Sequence, residues 1–344
     1  MSKLDNLLFF MRKSGLDIKQ YQRYLSPGTY RLTCIDVNRY AWKKCNGIIE
    51  RFRIIETDKE LGLKNRIRAW CISTTFRVKS SSKMSCGNRL YVSRQGNIKV
   101  FSEDNRYVYY FVNSDKLFSI AKHYNENYAR FFGKSIIERL DSNSRRITER
   151  CVIEKNEWRT SVKEVKLAAI WVMRNMAKYL ESINNNYKYI DTLGFADEVV
   201  NRCRNNDVSK FISELKNRID PSISQIPFVY QHNDVVLSNI LKETKDYTLF
   251  DYEFYAENIF FYDSFMWIFW EACLYHRDIF LSEYLNGLYD DVLSDLFAKV
   301  GMCFDKSRRC DYMRIFIIAN INVHLATNAT TNLCNYRRVA DLLN

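Results

Sequence analysis

The feature that most constrains the fold is a change of pattern partway along the 344-residue chain. Between 88 and 152 the sequence consists of short runs rich in β-branched and aromatic residues, separated by turn-forming pairs such as Gln95-Gly96. From about 160 onward, apolar residues recur at the spacing of amphipathic helices, as in 161–183. The sequence therefore predicts an α+β protein in which strands are followed by a mainly helical region.

The β-rich part predicts a meander, one helix and a hairpin, in that order. The meander comprises 88–94, 97–102 and 106–112, which alternate in the manner of half-buried strands. A helix over 114–131 follows, with a polar residue in position to cap it, and 134–153 forms the hairpin.

The first 60 residues predict mostly helix, with one short strand near 30–36. The whole chain contains ten glycines and three prolines, a scarcity that favours long elements over many tight turns. It argues against a many-stranded sandwich or barrel.

The formal net charge of +12 attracts phosphates, nucleotides, nucleic acids or anionic membranes alike. Neither a long Lys/Arg tract nor a zinc-finger spacing is present, so we expect no nucleic-acid partner. Residues 62–83 carry several Lys and Arg residues and no acid. One interpretation is a membrane-surface helix; the favoured one is an ordinary basic helix followed by a linker.

Apolar stretches are short throughout the sequence. None reaches the roughly 18 residues of a membrane span, and the richest window, 259–270, is interrupted by Asp263. The apolar run near the N-terminus is too short for the core of a signal peptide. We expect a cytoplasmic protein. If 62–83 binds lipid, it would associate peripherally with the inner face of the membrane.

The candidate chemistry lies in one segment of polar residues set among apolar ones. It holds His232, Asp234 and Asn239, followed by Asp251 and Glu253. Phosphoryl transfer needs an aspartate to orient the attacking hydroxyl, and oxygen ligands to hold Mg²⁺ on the phosphates. Buried polar groups of this kind are costly unless they are paired or bind a metal.

This segment resembles the signature of the choline/ethanolamine kinase and aminoglycoside phosphotransferase superfamily, which shares the protein-kinase-like fold. The signature is H-x-D-x4-N, matched by His232, Asp234 and Asn239, and then a strand ending in an apolar residue and Asp, matched by Phe250-Asp251. Choline kinases are more similar still, through the additional matches Tyr252, Glu253, Asn258 and Asp263. The resemblance covers about 228–270 well.

The resemblance implies a bilobal fold with a small β-rich N-lobe and a larger mainly helical C-lobe. The sequence pattern adds an extra, mostly helical N-terminal segment, which the resemblance does not cover. The corresponding domains are 1–85, whose role is open, 86–155 for the N-lobe, and 156–344 for the C-lobe with the catalytic and metal-binding motifs.

The resemblance also implies roles for the motif residues. Asp234 would be the catalytic base, and Asn239 and Asp251 would bind Mg²⁺, with ATP or another nucleoside triphosphate as cofactor. His232 would be a structural residue that packs the catalytic loop. Glu253 would either face the acceptor or form a structural salt bridge, and both alternatives stay open. Asn258 and Asp263 are interpreted as capping and packing residues.

The N-lobe departs from the pattern of the superfamily. It has no G-x-G-x-x-G loop and no lysine on the strand 106–112. Lys99 is the candidate cation for the nucleotide phosphates, and Arg106 is its competitor. Glu126 could pair with Lys99, although an exposed helix charge is the favoured interpretation.

Aromatic residues are dense between 252 and 270. Aromatic faces hold quaternary ammonium groups, but aromatics at helical spacing usually form a core, which is the favoured interpretation.

Several functions fit these observations. The first is a kinase for a hydroxyl of a small amino alcohol or amino sugar. Others are a kinase for a larger, lipid-linked glycan and a non-catalytic kinase-like binding module. A protein kinase is disfavoured, because no A-P-E motif follows and Asp251 lies only twelve residues after Asn239.

Overall fold

The structure is a computed structural model, which describes residues 22–35, 39–45, 56–57, 76–80, 87–93, 97–152, 156–243, 246–325 and 332–343. The chain divides into two compact units. The first comprises Met1–Lys122 and Ile136–Ile153, and the second comprises His123–Ser135 and Glu154–Asn344. The domain boundaries predicted at 85 and 155 remain a prediction.

The first unit is built on one mixed but mainly antiparallel sheet. Its strands are β1 Gly28–Ile35, β2 Arg39–Lys44, β3 Glu56–Thr57, β4 Phe76–Val78, β5 Gly87–Ser93, β6 Ile98–Ser102, β7 Tyr107–Phe111, β8 Ile137–Asp141 and β9 Arg146–Arg150. They lie in the order β3-β1-β2-β5-β6-β7-β9-β8, and β4 pairs with β1.

The predicted meander and the hairpin after it are confirmed. Strands β5, β6 and β7 pair antiparallel in sequence, and β8 pairs with β9. Helix α1, Asp115–Asn127, lies between β7 and β8 in the chain, within the predicted range 114–131. Leu90, Val100 and Ile147 are fully buried, as expected for strands whose apolar residues form the core.

The N-terminal segment differs from the prediction of mostly helix. Where the structure describes it, this segment contains strands β1, β2 and β3 and a single 3-10 turn at Gln22–Tyr24. Trp42 of β2 is 2% exposed and lies opposite Leu90 of β5. Pairing with the distant strand β5 thus decides that Arg39–Lys44 is a strand. In a strand, successive side chains point to opposite faces, so Trp42 is buried against the sheet and Lys43 stays exposed.

The basic stretch 62–83 falls largely outside the described residues. Phe76–Val78 forms strand β4, and the predicted helix over the first part of the stretch lies outside the described part of the chain.

The second unit is mainly helical, which confirms the prediction for the region after 160. Its helices, beyond the end of α1, are α2 Val162–Ser182, α3 Thr192–Arg202, α4 Asn206–Lys216, α5 Tyr262–Tyr275, α6 Ile279–Leu285, α7 Asp290–Ala298, α8 Arg309–His324 and α9 Leu333–Asp341. None of the helices in the described ranges combines the length and the apolar character required to span a bilayer.

Helix α5 forms the centre of this unit, because it is buried around its whole circumference from Tyr262 to Cys273. Phe265, Trp267 and Trp270 are all at least 94% buried, which confirms that these aromatics are core residues. Helices α2, α8 and α9 pack against α5.

Two small sheets in the second unit carry the motif residues. One contains β10 Lys188–Asp191, β11 Gln225–Gln231 and β14 Ala256–Ile259 in the order β10-β11-β14. The other is a hairpin of β12 Ile240–Glu243 and β13 Asp246–Leu249. The motif loop connects β11 to β12, so both small sheets position it.

Candidate active site

The loop after β11 is fixed by side chains of the motif itself. Asn233 has a left-handed backbone conformation with φ 65°, which asparagine tolerates better than most residues. Its Nδ2 donates to the carbonyl oxygens of Phe254 and Ala256, both at 3.0 Å. Its Oδ1 accepts a hydrogen bond of 2.7 Å from Asn258 Nδ2. Asn258 therefore holds the loop against β14.

Asp263, in the first turn of α5, holds the same loop from the other side. Its carboxylate accepts hydrogen bonds from the backbone N–H of His232 at 2.6 Å and of Asn233 at 2.9 Å. The Tyr128 hydroxyl donates to it at 2.5 Å. Asp263 is completely buried, and burial raises its pKa to about 6 against the lowering effect of these donors. The sequence analysis interpreted Asp263 as a capping or packing residue. It did not predict the hydrogen bonds to the motif loop and to Tyr128.

The hairpin β12–β13 explains why Asn239 and Asp251 lie together. Ile240 pairs with Leu249 at the open end of the hairpin, and the Phe250 N–H donates to the Asn239 carbonyl at 3.1 Å. Asn239 precedes one strand and Asp251 follows the other. Asp251 is left-handed, with φ 66° and ψ 55°. The two candidate magnesium ligands are therefore at the same edge of the hairpin.

Asp234 lies beside these two residues. Its Oδ2 accepts a hydrogen bond of 2.6 Å from Asn239 Nδ2, which also donates to the Asp234 carbonyl at 3.0 Å. Burial, together with the charge of the Asp251 carboxylate, raises the pKa of Asp234 to about 7 against the lowering effect of the Asn239 hydrogen bond. Asp263 and Glu253 add to the increase. A carboxylate in this setting is poised between its protonated and charged forms near neutral pH.

His232 is buried behind the loop. Its Nε2 lies 3.0 Å from the Phe250 carbonyl oxygen, so the proton of the neutral ring is on Nε2. Burial lowers the pKa of His232 to about 4, although the Asp251 charge and the Phe250 carbonyl favour the charged form. At neutral pH it is an uncharged side chain that ties the loop to the end of β13.

The carboxylates of Asp234 and Asp251 carry negative charge that the described part of the chain does not balance with an ion pair. Within the described ranges, neither Asp234 nor Asp251 forms an ion pair with Lys or Arg. The charges of Asp251, Asp263 and Glu253 are nevertheless close enough to raise the pKa of Asp234. Asn239 Oδ1 and the Asp251 carboxylate accept no hydrogen bond from the described residues. Unbalanced negative charge with free oxygen ligands is what a divalent cation neutralises.

The composition of the site favours a hard cation held by few protein groups. The described residues contain no cluster of three or more His, Cys, Asp or Glu with metal-binding geometry. One amide and one carboxylate oxygen fit Mg²⁺, because this ion keeps several waters and is also bound by substrate phosphates.

Lys99, in the first unit, lies beside an acidic residue of the same sheet. Its Nζ lies 3.6 Å from Glu149 on β9 and 4.5 Å from the centre of the Tyr110 ring. Glu126, which was only a possible partner, is exposed on α1, as the favoured interpretation of an exposed helix charge has it. The sheet explains this outcome, since Lys99 is opposite Tyr110 on the neighbouring strand, and Glu149 is one strand further on. Arg106 is exposed in a turn, 3.6 Å from Asp104.

Tyr128 and Tyr124 are contacts of the site that the sequence did not reveal. Tyr124 stacks on Tyr252 with ring centroids 5.1 Å apart and meets the His232 ring edge-on at 5.7 Å. Both tyrosines lie more than 100 residues before the motif, on or just after α1. The only available signal was their aromatic character on a predicted helix.

No protein-family model and no curated protein matches the chain. Solved structures do match. A choline kinase from Streptococcus pneumoniae is 12% identical with a TM-score of 0.44, over 72% of this chain and 89% of that one. An aminoglycoside phosphotransferase from Streptomyces rimosus is 14% identical with a TM-score of 0.35, over 65% and 90% of the two chains. An amicoumacin kinase in complex with AMP-PNP, Ca²⁺ and Ami is 10% identical with a TM-score of 0.42, over 74% and 85%. The chain is distantly similar to these three solved structures.

Proposed function

We propose that this protein is a phosphotransferase that moves the terminal phosphoryl group of ATP, or of another nucleoside triphosphate, to a hydroxyl group. The observation that carries the proposal is the arrangement at the open end of the β12–β13 hairpin. There Asn239 and Asp251 present free oxygens beside Asp234, whose pKa is raised to about 7 by burial and by neighbouring carboxylates. Such a site is incomplete without a cation.

Asp234 is the group that receives the acceptor. It orients the hydroxyl and accepts its proton as the phosphoryl group is transferred. Because the transition state is loose, its position matters more than complete prior removal of the proton. The loop that carries it is held by Asn258 and Asp263, so little reorganisation is needed at the moment of reaction.

Asn239 and Asp251 would hold Mg²⁺, which supplies neutralising charge to the phosphates when bound. The two ends of the Asn239 side-chain amide would have separate roles. Nδ2 donates to Asp234, and Oδ1 would bind the metal. Metal and base would therefore be positioned by one residue.

The acceptor is proposed to be a small molecule or a sugar. Glu253 follows Asp251 by two residues in the 3-10 turn Tyr252–Phe254 and is half-buried, so it is the proposed acceptor contact. Its charge raises the pKa of Asp234, as expected for a group near the same space.

The test is nucleotide consumption in the presence of Mg²⁺, screened against amino alcohols, aminoglycosides and glycan fragments. Asp234→Asn preserves shape and removes the charge, so we expect kcat to fall by about 10²–10⁴-fold while nucleotide still binds. Asp246→Asn, at the other end of β13, is the matched control and should retain turnover.

Turnover by Asp234→Asn at the wild-type rate would remove the central residue of the proposal. If the wild type binds nucleotide with Mg²⁺ but consumes none with any acceptor, a non-catalytic kinase-like binding module becomes the better interpretation.

A further inference from the structure

The hydroxyl of Tyr128 lies in the interior of the second unit. Tyr128 directly follows α1 and is fully buried. Its oxygen lies 2.5 Å from Asp263 Oδ2 and 3.0 Å from the sulfur of Met176. The hydroxyl has one proton, and a carboxylate is a far stronger acceptor than a thioether. The proton therefore lies on the hydrogen bond to Asp263.

The same carboxylate holds the candidate catalytic loop. Asp263 Oδ2 also accepts the His232 N–H at 2.6 Å, and Oδ1 accepts the Asn233 N–H at 2.9 Å. Asn233 is left-handed and immediately precedes Asp234. A rotation of the Asp263 carboxylate would break the hydrogen bond to one of these two backbone N–H groups. The Tyr128 hydroxyl opposes such a rotation because it fixes Oδ2 from a third direction.

We propose that Tyr128 is a positioning residue for Asp234, acting through the Asp263 carboxylate and the backbone of residues 232 and 233. The inference rests on the proposed function, because it assigns Asp234 the role of base. It adds a residue from outside the motif, 106 positions before Asp234.

The aromatic ring and the hydroxyl of Tyr128 can be separated experimentally. The ring stacks on Phe132 at 4.6 Å and meets Tyr179 edge-on at 4.8 Å. A phenylalanine keeps both contacts and loses only the hydrogen bond. Tyr128→Phe therefore tests the hydroxyl and leaves the packing in place.

The matched control is Tyr284→Phe. Tyr284 is also fully buried, and its hydroxyl donates to the Arg309 carbonyl at 2.7 Å, far from the motif loop in sequence. Both variants lose one buried hydrogen bond, so both should lower the melting temperature. Only Tyr128→Phe should affect the motif loop.

The first measurement is steady-state turnover. We expect Tyr128→Phe to lower kcat by about 10–100-fold, with KM for the nucleotide within about two-fold, because it misplaces Asp234 without touching the metal ligands. Tyr284→Phe should leave both constants unchanged. Equal kcat values in the wild type and Tyr128→Phe would overturn the proposal.

The second measurement is hydrogen exchange in peptides that cover 228–236. The His232 and Asn233 amides should exchange faster in Tyr128→Phe than in the wild type or in Tyr284→Phe. Unchanged protection would overturn the proposal. This measurement needs no turnover, so it decides the contact even if the wild type proves inactive and the proposed function fails.

A double-mutant cycle identifies the intermediary. Asp263→Asn keeps the shape of the side chain and weakens its acceptance of hydrogen bonds. If Tyr128 acts through Asp263, Tyr128→Phe should speed exchange of the His232 and Asn233 amides little further in the Asp263→Asn background, so the two effects on amide protection are non-additive. Fully additive effects would overturn the route through Asp263.

Discussion

Asp234 is the residue in which the conflict between burial and charge is greatest. Its folded-state pKa, about 7, lies above the ordinary value of 3.8, so the folded protein binds more protons than the unfolded chain between these values. Stability contributed by this group therefore decreases as pH rises from about 4 to about 7. The loss is complete above the folded-state pKa unless a cation binds.

Other buried titratable groups also change the stability of the fold between pH 4 and pH 7. The contribution of Asp234 must therefore be measured as the difference in stability between the wild type and a variant. Burial raises the pKa of Asp263 to about 6 and of Glu271 to about 7, which gives the same sign. His232 has the opposite sign, because its pKa is lowered to about 4 and the unfolded chain binds its proton more tightly.

We predict that Asp234→Asn is more stable than the wild type at pH 8 without divalent cations, and similar to it at pH 4. The difference should reach on the order of 4 kcal/mol, since the pKa of about 7 lies about three units above the ordinary value and one unit corresponds to about 1.4 kcal/mol. Urea unfolding in EDTA at both pH values measures it. The exposed Asp246→Asn is the control, and a difference that does not change with pH would contradict the assigned environment.

At the scale of elements, the β12–β13 hairpin sets the geometry of the candidate metal site through its register and through the backbone of Asp251. That residue is left-handed, a conformation that asparagine and aspartate adopt more easily than alanine. Side-chain chemistry and backbone strain can therefore be tested apart by two substitutions.

We predict that Asp251→Asn keeps the stability of the fold and loses the stabilisation that Mg²⁺ and nucleotide give the wild type. Asp251→Ala should lose it as well and, in addition, be destabilised by about 1 kcal/mol of backbone strain. Thermal unfolding with and without Mg²⁺ and nucleotide measures both effects, since a ligand that binds the folded state raises the melting temperature. A wild-type response to Mg²⁺ in Asp251→Asn would exclude Asp251 as a ligand.

The elements that the sequence predicted well are those whose signals are local. Strands β5, β6 and β7 follow from the alternation of Tyr, Val and Ile between turn residues, and α2 follows from its apolar period. Strand β2 was not predicted, because Trp42 becomes a buried strand residue only when it pairs opposite Leu90. A pairing 48 positions away leaves no local pattern.

The candidate site shows the same limit. The spacing of Asp234, Asn239 and Asp251 is a local pattern, so these residues could be selected from the sequence alone. The left-handed backbone conformations of Asn233 and Asp251, and the hydrogen bonds that hold the loop, could not be predicted in this way. The contact between Tyr128 and Asp263 joins residues 135 positions apart, and neither has a neighbour in sequence that indicates the other.

At the scale of the whole molecule, Lys99 of the first unit stays the predicted cation for the nucleotide phosphates. The chain has a net charge of +12, yet the motif site is acidic, so the cations for the nucleotide phosphates must come from elsewhere in the chain or from a metal. Lys99 is three-quarters buried, beside Glu149 and over Tyr110. Arg106 is mostly exposed and lies beside Asp104.

We predict that Lys99→Met weakens nucleotide binding by about ten-fold, because it removes a charge-assisted contact to the phosphates while keeping the length of the side chain. Titration calorimetry with Mg²⁺ and a non-hydrolysable ATP analogue measures the affinity. Lys99→Met also removes a positive charge beside the buried Glu149 carboxylate. Lys99→Met/Glu149→Gln should therefore be measured beside it, to separate nucleotide affinity from the effect of that loss on Glu149. Lys116→Met, exposed on α1, has the same change of net charge and should bind as the wild type does. If Arg106→Met loses affinity and Lys99→Met does not, Arg106 is the phosphate contact, and the Lys99–Glu149 pair is structural.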